Sequence, residues 1–241
     1  MTRSGSAQLP DGQAPWGLIA ALPIELGPFR GAGLKTVVSG VRLSAHQIPQ
    51  GPPLLAAVAG VGKVAAAHAA AILAARGVRG LLVVGTCGGL DPVDEVGTLV
   101  HAAKAVQWDL GVREGREMTP DAALAAAWRE EVQGPVRTFL SADRAALGQL
   151  RRARRARAVR RSGDPRPVAD METAAVAAVA TRAGLPWAAL RVVSDQRLRL
   201  RDFLTSGGRS RGRFVDHLET VAGGPAETVG SLLSVLDLRD R

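Results

Sequence analysis

The sequence predicts an α/β fold: a single domain with a central, mostly parallel (mixed) sheet flanked by helices. Three observations carry this. Short apolar runs of strand length alternate with Ala-rich stretches of helical length, the pattern of βα units. At least one run, Leu81–Val84, is apolar without interruption, as a strand covered on both faces must be. The chain has 241 residues, enough for one sizeable core and short for two.

The elements follow in order. Trp16 to Leu22 reads as a short strand, and Pro53 to Ala59 as a second that ends in Gly60-Val61-Gly62-Lys63. An Ala-rich helix runs from Val64 to Arg76 and is closed by Gly77. Leu81–Val84 runs into a glycine-rich stretch, Gly85-Thr86-Cys87-Gly88-Gly89, which reads as a turn after a strand. Thr98 to Val106 is a strand, Pro120 to Val132 a helix, and Val136 to Leu140 a strand. Ala145 to Arg161 is a basic helix. Val168 to Asp170 is a short strand, and Asp170-Met171-Glu172-Thr173 opens a helix that stops at Gly184. Leu185 to Val193 is a buried strand ending at Ser194-Asp195, and the tail from Arg213 is helical with a break at Gly223-Gly224-Pro225. The polar residues 1–15 lack the apolar centre of a signal peptide and read as a disordered leader, so the domain is expected over 16–241.

Composition narrows the function. Hydrophobic residues make up 46% of the chain but aromatics only 3%, with no Tyr, so an aromatic platform for stacking bases of RNA is not expected. The single cysteine, Cys87, excludes an internal disulfide and fits the reducing cytoplasm, the expected location. The four His and one Cys show no metal-ligand spacing, and no apolar run is long enough to span a membrane. The formal charge of +9 is concentrated in Arg151 to Arg161. Its arginines are spread around the helix, which suits a solvated face better than a nucleic-acid groove.

Two glycine-rich stretches need a physical reading. Gly60-Val61-Gly62-Lys63 is not a P-loop: Ala57 stands where the first Gly belongs, and Val64 where Ser or Thr would hold magnesium. Its glycines let backbone approach a sugar, or simply pack a strand tightly against a helix. Gly85-Thr86-Cys87-Gly88-Gly89 matches the Gly-x-Cys-x-Gly form of a nucleophile elbow, with Asp195 and His217 following in the order a cysteine hydrolase would need. A cradle of backbone N–H groups for an anion or polar substrate fits the stretch better. A carboxylate at a helix start (Glu172) and another after the next strand (Asp195) lie at the sheet end where open α/β folds bind ligands.

Taken in order, five blocks resemble the nucleoside phosphorylase/nucleosidase superfamily. They are Gly17 to Glu25, Ala59 to Ala67, Gly85 to Leu90 with Val96 to Val100, Asp170 to Ala175, and Arg191 to Asp195. The branch resembled most is that of the 5'-methylthioadenosine/S-adenosylhomocysteine nucleosidases. The resemblance implies a nucleoside phosphorylase-like fold. It also implies hydrolysis of the N-glycosidic bond of a purine nucleoside, with no cofactor or metal and with a small-molecule nucleoside as the only partner besides a second copy of the chain in a homodimer. It implies Glu25 as the base that activates water and Asp195 as the acid toward the purine. Gly60, Gly85, Thr86, Met171, Glu172 and Ser194 are implied at the substrate, with Met171 and Glu172 on the ribose. Phosphorylase relatives place an Arg two residues before the third block's Gly, where this chain has Val83, and this favours water over phosphate. Phosphorolysis is the alternative, and the cysteine hydrolase a further one. After Ser141-Ala142-Asp143, where the nucleosidase carries an aromatic that stacks on adenine, this chain has Arg144. An altered base pocket follows, and the Asp-Met-Glu form is shared with a nucleosidase of hopanoid biosynthesis; a futalosine-type hydrolase is a third possibility.

Overall fold

The computed structural model describes residues 13–30, 34–49, 51–91, 93–111, 114–143 and 163–195, with residues 229, 230 and 232 of the C-terminal part. The leader up to residue 12, the basic stretch at 145–161 and most of the tail, including His217, lie outside the described residues.

The sheet is built outward from β1 (Trp16–Ala20), whose five residues are all buried. It runs parallel between β4 (Leu54–Val58) and β5 (Leu81–Gly89). After β1 the chain makes a 3-10 segment, Pro23–Arg30, kinked at Gly27. A hairpin follows, β2 (Leu34–Val38) and β3 (Val41–His46), which extends the sheet past β4. Ser39 and Gly40 turn it with φ of 48° and 81°. Two successive positive φ values are what a two-residue hairpin turn of matching twist requires. The hairpin was not expected from sequence. Its strands are interrupted by Lys35, Thr36, Arg42 and Ser44, and Ser-Gly is a weaker signal than Asn-Gly.

The other half of the sheet closes on itself. β6 (Leu99–Gln107), β8 (Val136–Ser141), β9 (Pro167–Asp170) and β10 (Trp187–Asp195) join β5, and β10 pairs with both β5 and β6. The two-residue β7 (Glu117–Met118) adds to β6. Pairing is therefore mixed: β1–β4, β1–β5, β5–β10, β6–β8 and β8–β9 are parallel, while the hairpin, β3–β4, β5–β9, β6–β7 and β6–β10 are antiparallel.

Helices cover both faces. On one, α1 (Lys63–Ala75) and α3 (Thr173–Arg182) lie side by side. Ala66, Ala69 and Ala70 of α1 and Ala174, Ala177 and Ala180 of α3 are fully buried in the same cluster, and side chains this small allow close helix approach. On the other face, α2 (Ala122–Glu131) buries Trp128 in a second cluster with Leu18, Leu82, Val229 and Leu232. The carboxylate of Asp121 starts α2 by accepting from Leu124 N–H at 2.8 Å, a side-chain cap.

One expectation is corrected. The stretch Gly85 to Gly89 is no turn: β5 continues through it and ends only at Gly89. β10 pairs with it from Gly85 to Gly88, and β9 takes Gly88 and Gly89. A nucleophile elbow needs a strained strand-to-helix turn at the nucleophile. Cys87 sits mid-strand, buried, and Ser39 is the sole non-glycine with positive φ among the described residues. No described helix is long and apolar enough to cross a membrane.

Candidate active site

The site grows from a change of neighbour along β5. β1 accompanies β5 only as far as Val83, and β9 joins only at Gly88. Between them the Thr86 N–H has no strand to pair with on that side. Glu25 fills the gap. Its Oε1 accepts from Thr86 N–H at 2.9 Å and from the Thr86 hydroxyl at 3.0 Å. Its Oε2 accepts from Ala21 N–H at 3.0 Å and Leu22 N–H at 2.9 Å, where the chain leaves β1. Four donors thus hold a carboxylate that is only 2% exposed, as a buried charge demands.

Gly85 makes this possible. A Cβ there would stand 2.8 Å from Glu25 Oε1 and 3.1 Å from Arg191 Nη1. Arg191 is the hub of the site and is fully buried. Nε donates to Thr173 Oγ1 at 3.0 Å and Nη1 to the Thr86 carbonyl at 2.8 Å. Nη2 meets Glu172 Oε2 at 3.2 Å and Asp170 Oδ2 at 3.0 Å. Burial works against its charge, but Asp170, Glu172 and Glu25 outweigh burial and hold its pKa above the ordinary value.

Glu172 stands between β9 and α3. Its Oε1 accepts from Gly62 N–H at 3.0 Å, across 110 residues of chain. Burial pushes its carboxyl above the ordinary range; Arg191 pulls it back, and Asp170 and Glu25 push it up again. Asp170, not Glu172, caps α3, accepting from Thr173 N–H at 2.8 Å. Asp170 also takes the Ser141 hydroxyl, and Ser141 Oγ accepts from Ala174 N–H at 2.9 Å.

Of the expected site residues, Glu25, Gly85, Thr86 and Glu172 come together around Arg191. Met171 is half-buried beside Glu172. The Gly60 N–H is used on the Ala21 carbonyl at 3.0 Å, so the loop reaches Glu172 through Gly62 instead. Ser194 is an extra residue on β10, because Val193 pairs with Cys87 and Asp195 with Gly88; such a bulge re-aims the strand. Its hydroxyl donates to the Cys87 carbonyl at 3.2 Å. The backbone of Asp195 ends β10 beside Gly88, and its side chain lies outside the described residues.

Sequence reasoning missed Arg191 as the hub and the parts of Asp170, Ser141 and Gly62. A signal for Arg191 existed: it is the one charge inside the apolar run Leu185 to Val193, and a buried charge must be paired. A cavity of about 320 Å³ opens elsewhere, between the 3-10 segment and the hairpin, lined by Leu26, Lys35, Arg42 and Val58 among others. It does not reach the Arg191 network. Among the described residues no three His, Cys, Asp or Glu are grouped as a metal site would need.

With the ends of six strands (β1, β4, β5, β8, β9 and β10), the starts of α1 and α3 and the Arg191 network together at one end of the sheet, the arrangement can be compared with known proteins. The model of the phosphorylase superfamily matches residues 15–223. The chain belongs to this superfamily. A 5'-methylthioadenosine/S-adenosylhomocysteine nucleosidase of Mycobacterium bovis is 35% identical over 108 residues, 43% of this chain and 42% of that relative. The match therefore spans less than half the relative's length. A nucleosidase of the same name from S. pneumoniae, solved with a transition-state inhibitor, superposes with a TM-score of 0.76 at 21% identity, covering 92% of this chain and 99% of that one. Futalosine hydrolase of Helicobacter pylori gives 0.76 at 20% identity, covering 92% and 98%. At these identities the likeness establishes the fold, an α/β domain of the superfamily.

Proposed function

We propose that this superfamily member, over residues 16–241, hydrolyses the N-glycosidic bond of a purine nucleoside of the methylthioadenosine or adenosylhomocysteine kind. The observation that carries the reading is the gathering of Glu172, paired directly with Arg191, and Glu25, tied to Arg191 through Thr86, at the sheet end where β1, β5 and β10 finish. Three carboxylates around one guanidinium leave excess negative charge. Such a site favours a sugar that becomes cationic as its bond to the base breaks.

The chemistry divides among these residues. Glu172 accepts hydrogen bonds from the ribose hydroxyls, and Met171 packs on the sugar. Glu25 takes a proton from water as its oxygen attacks C1′. For this the Thr86 hydroxyl, the one rotatable donor among the four on Glu25, turns away to free a lone pair. The C1′–N9 bond breaks with its electrons moving into the purine, and Asp195 gives a proton to N7. Each proton transfer contributes about 10²–10⁴-fold. Water is favoured over phosphate because Val83 is apolar and buried, and the Arg191 guanidinium is already engaged by carboxylates.

The test is base release from methylthioadenosine, adenosylhomocysteine, adenosine and inosine, with and without phosphate. Free base and free sugar without phosphate are expected, and Asp195→Asn removes most of that turnover. Strict dependence on phosphate with sugar 1-phosphate as product would establish phosphorolysis instead. The active form is proposed to be a homodimer; light scattering of an active sample at the monomer mass of 25.0 kDa would refute that.

A further inference from the structure

Lys63, the residue after the glycine loop, has no part in the chemistry above, yet it is held from three sides. Its Nζ donates to Asp109 Oδ1 at 2.5 Å and lies 3.9 Å from Asp143 Oδ2. Its own N–H donates to Asp143 Oδ1 at 2.7 Å, and Asp143 N–H donates to Asp109 Oδ2 at 3.0 Å. The three residues close a ring that ties the first turn of α1 to the ends of β6 and β8. Trp108 N–H donates to the Ser141 carbonyl at 2.8 Å and fastens those two ends together.

This ring adjoins the proposed ribose grip. α1 begins without a side-chain cap of its own, because Gly62 stands at the N-cap. Its first N–H groups are satisfied from elsewhere: Gly62 by Glu172, Lys63 by Asp143. A helix start with free N–H groups attracts carboxylates, and here two of them share it. Lys63 supplies the positive charge that lets Asp143 and Asp109 stand together. Burial would raise the Asp109 carboxyl, but the Lys63 and Asp143 hydrogen bonds outweigh burial and hold it below its ordinary range.

We propose that Lys63, Asp109 and Asp143 form a positioning clasp that fixes the first turn of α1 so that the Gly62 N–H stays on Glu172. Lys63 touches no reacting atom; it acts through the backbone it anchors. This rests on the nucleosidase reading for its kinetic consequence and on the geometry alone for its structural one.

The experiment measures both on the full chain. In Lys63→Met, KM for the preferred nucleoside rises about tenfold while kcat stays within about threefold, the signature of lost uniform binding. Lys63→Arg keeps the charge and restores KM. Lys63→Met combined with Asp109→Asn is no worse than the worse single change, because members of one network are not additive. Hydrogen exchange of the Gly60–Val64 amides speeds up in Lys63→Met, with the α3 amides unchanged. If Lys63→Met fails to fold, Asp109→Asn replaces it in each measurement. Unchanged KM together with unchanged exchange overturns the clasp, and so does a fall in kcat at constant KM, which would place Lys63 in the chemistry. If the wild type releases no base at all, the nucleosidase reading falls on that result. The exchange measurement still decides the clasp.

Discussion

Two glycine-rich stretches flank the same carboxylates and use glycine for different reasons. In Gly60-Val61-Gly62 the glycines have φ of 93° and 101°, in the region that disfavours side chains, and the chain turns from β4 into α1. Around them space is fairly open: the contact nearest to a Cβ at Gly60 is 3.6 Å away, and at Gly62 it is Asp143 Oδ1 at 3.2 Å. In Gly85 to Gly89 the chain stays in β5, and glycine serves proximity, at Gly85 in addition to a φ of 144°. A Cβ at Gly85 would press on Glu25 and Arg191, and one at Gly89 would come within 3.0 Å of Asp94 Cβ. The first segment needs a backbone shape; Gly85, with φ of 144°, needs that and also an empty place beside a charge. In sequence both look like punctuation.

The sharpest way to break that comparison is Gly85→Ala. The methyl group must displace a carboxylate held by four hydrogen bonds and a guanidinium held by as many partners. Overpacking of this sort costs about 1–3 kcal/mol, and a misplacement near 1 Å at a reacting group costs about 10²-fold in rate. Melting temperature and base release report the two. A variant as stable and active as wild type would show that the pair has slack.

Glu172→Gln comes next and adds a pH test. The carboxyl of Glu172 is raised in the folded protein by burial. Between its ordinary value and the raised one, the folded chain therefore binds more protons than the unfolded chain, and wild-type stability falls as pH rises through that window. Gln does not titrate, so its melting temperature lacks this descent, and the difference between the two proteins changes with pH above the ordinary range. Turnover drops by about 10²-fold, as for loss of one preorganised polar group. Parallel profiles would mean that Glu172 keeps an ordinary carboxyl.

Gly62→Ala is milder. Its N–H to Glu172 is kept, and the near contact is Asp143 Oδ1 at 3.2 Å, which the Lys63 N–H holds, so the methyl presses on a half-exposed carboxylate and not on Glu25 or Arg191. The remaining cost is the strained φ, about 1–3 kcal/mol, and turnover falls less than in Gly85→Ala. The reverse order, measured side by side, would overturn the distinction between the two stretches. Cys87→Ser has the smallest effect. Cys87 lies inside β5 and in the core, so a hydroxyl there costs about 1–3 kcal/mol with turnover nearly unchanged. Abolished turnover with no loss of stability, or a covalent adduct on Cys87 found by mass spectrometry, would restore the cysteine hydrolase.

Much of the scaffold is legible in the residues. The strands at Trp16, Leu54, Val136 and Trp187 and the helices α1 and α2 begin and end within a residue or two of their expected places, and α3 starts at the end of its expected opening, at Thr173, because apolar runs and flanking Gly and Pro are local signals. The hairpin escaped because its strands, the edge strand β2 and its neighbour β3, carry polar side chains on a partly exposed surface. The end of β5 escaped because glycine disfavours strands on average, and only the pairing with β10 and β9 overrides that.

The sequence by itself determined the alternation of strands and helices, the ordered blocks that mark the superfamily, and the acids available for catalysis. Each of these depends on residues close together in the chain. Only the tertiary structure decided that Asp170 and Glu172 share Arg191 while Glu25 reaches it through Thr86, that Gly62 rather than Gly60 holds Glu172, and that Asp170 caps α3. These contacts join segments up to 110 residues apart. They are chosen by a cost that no local pattern records: every charge and N–H taken out of water at the sheet end must find a partner there.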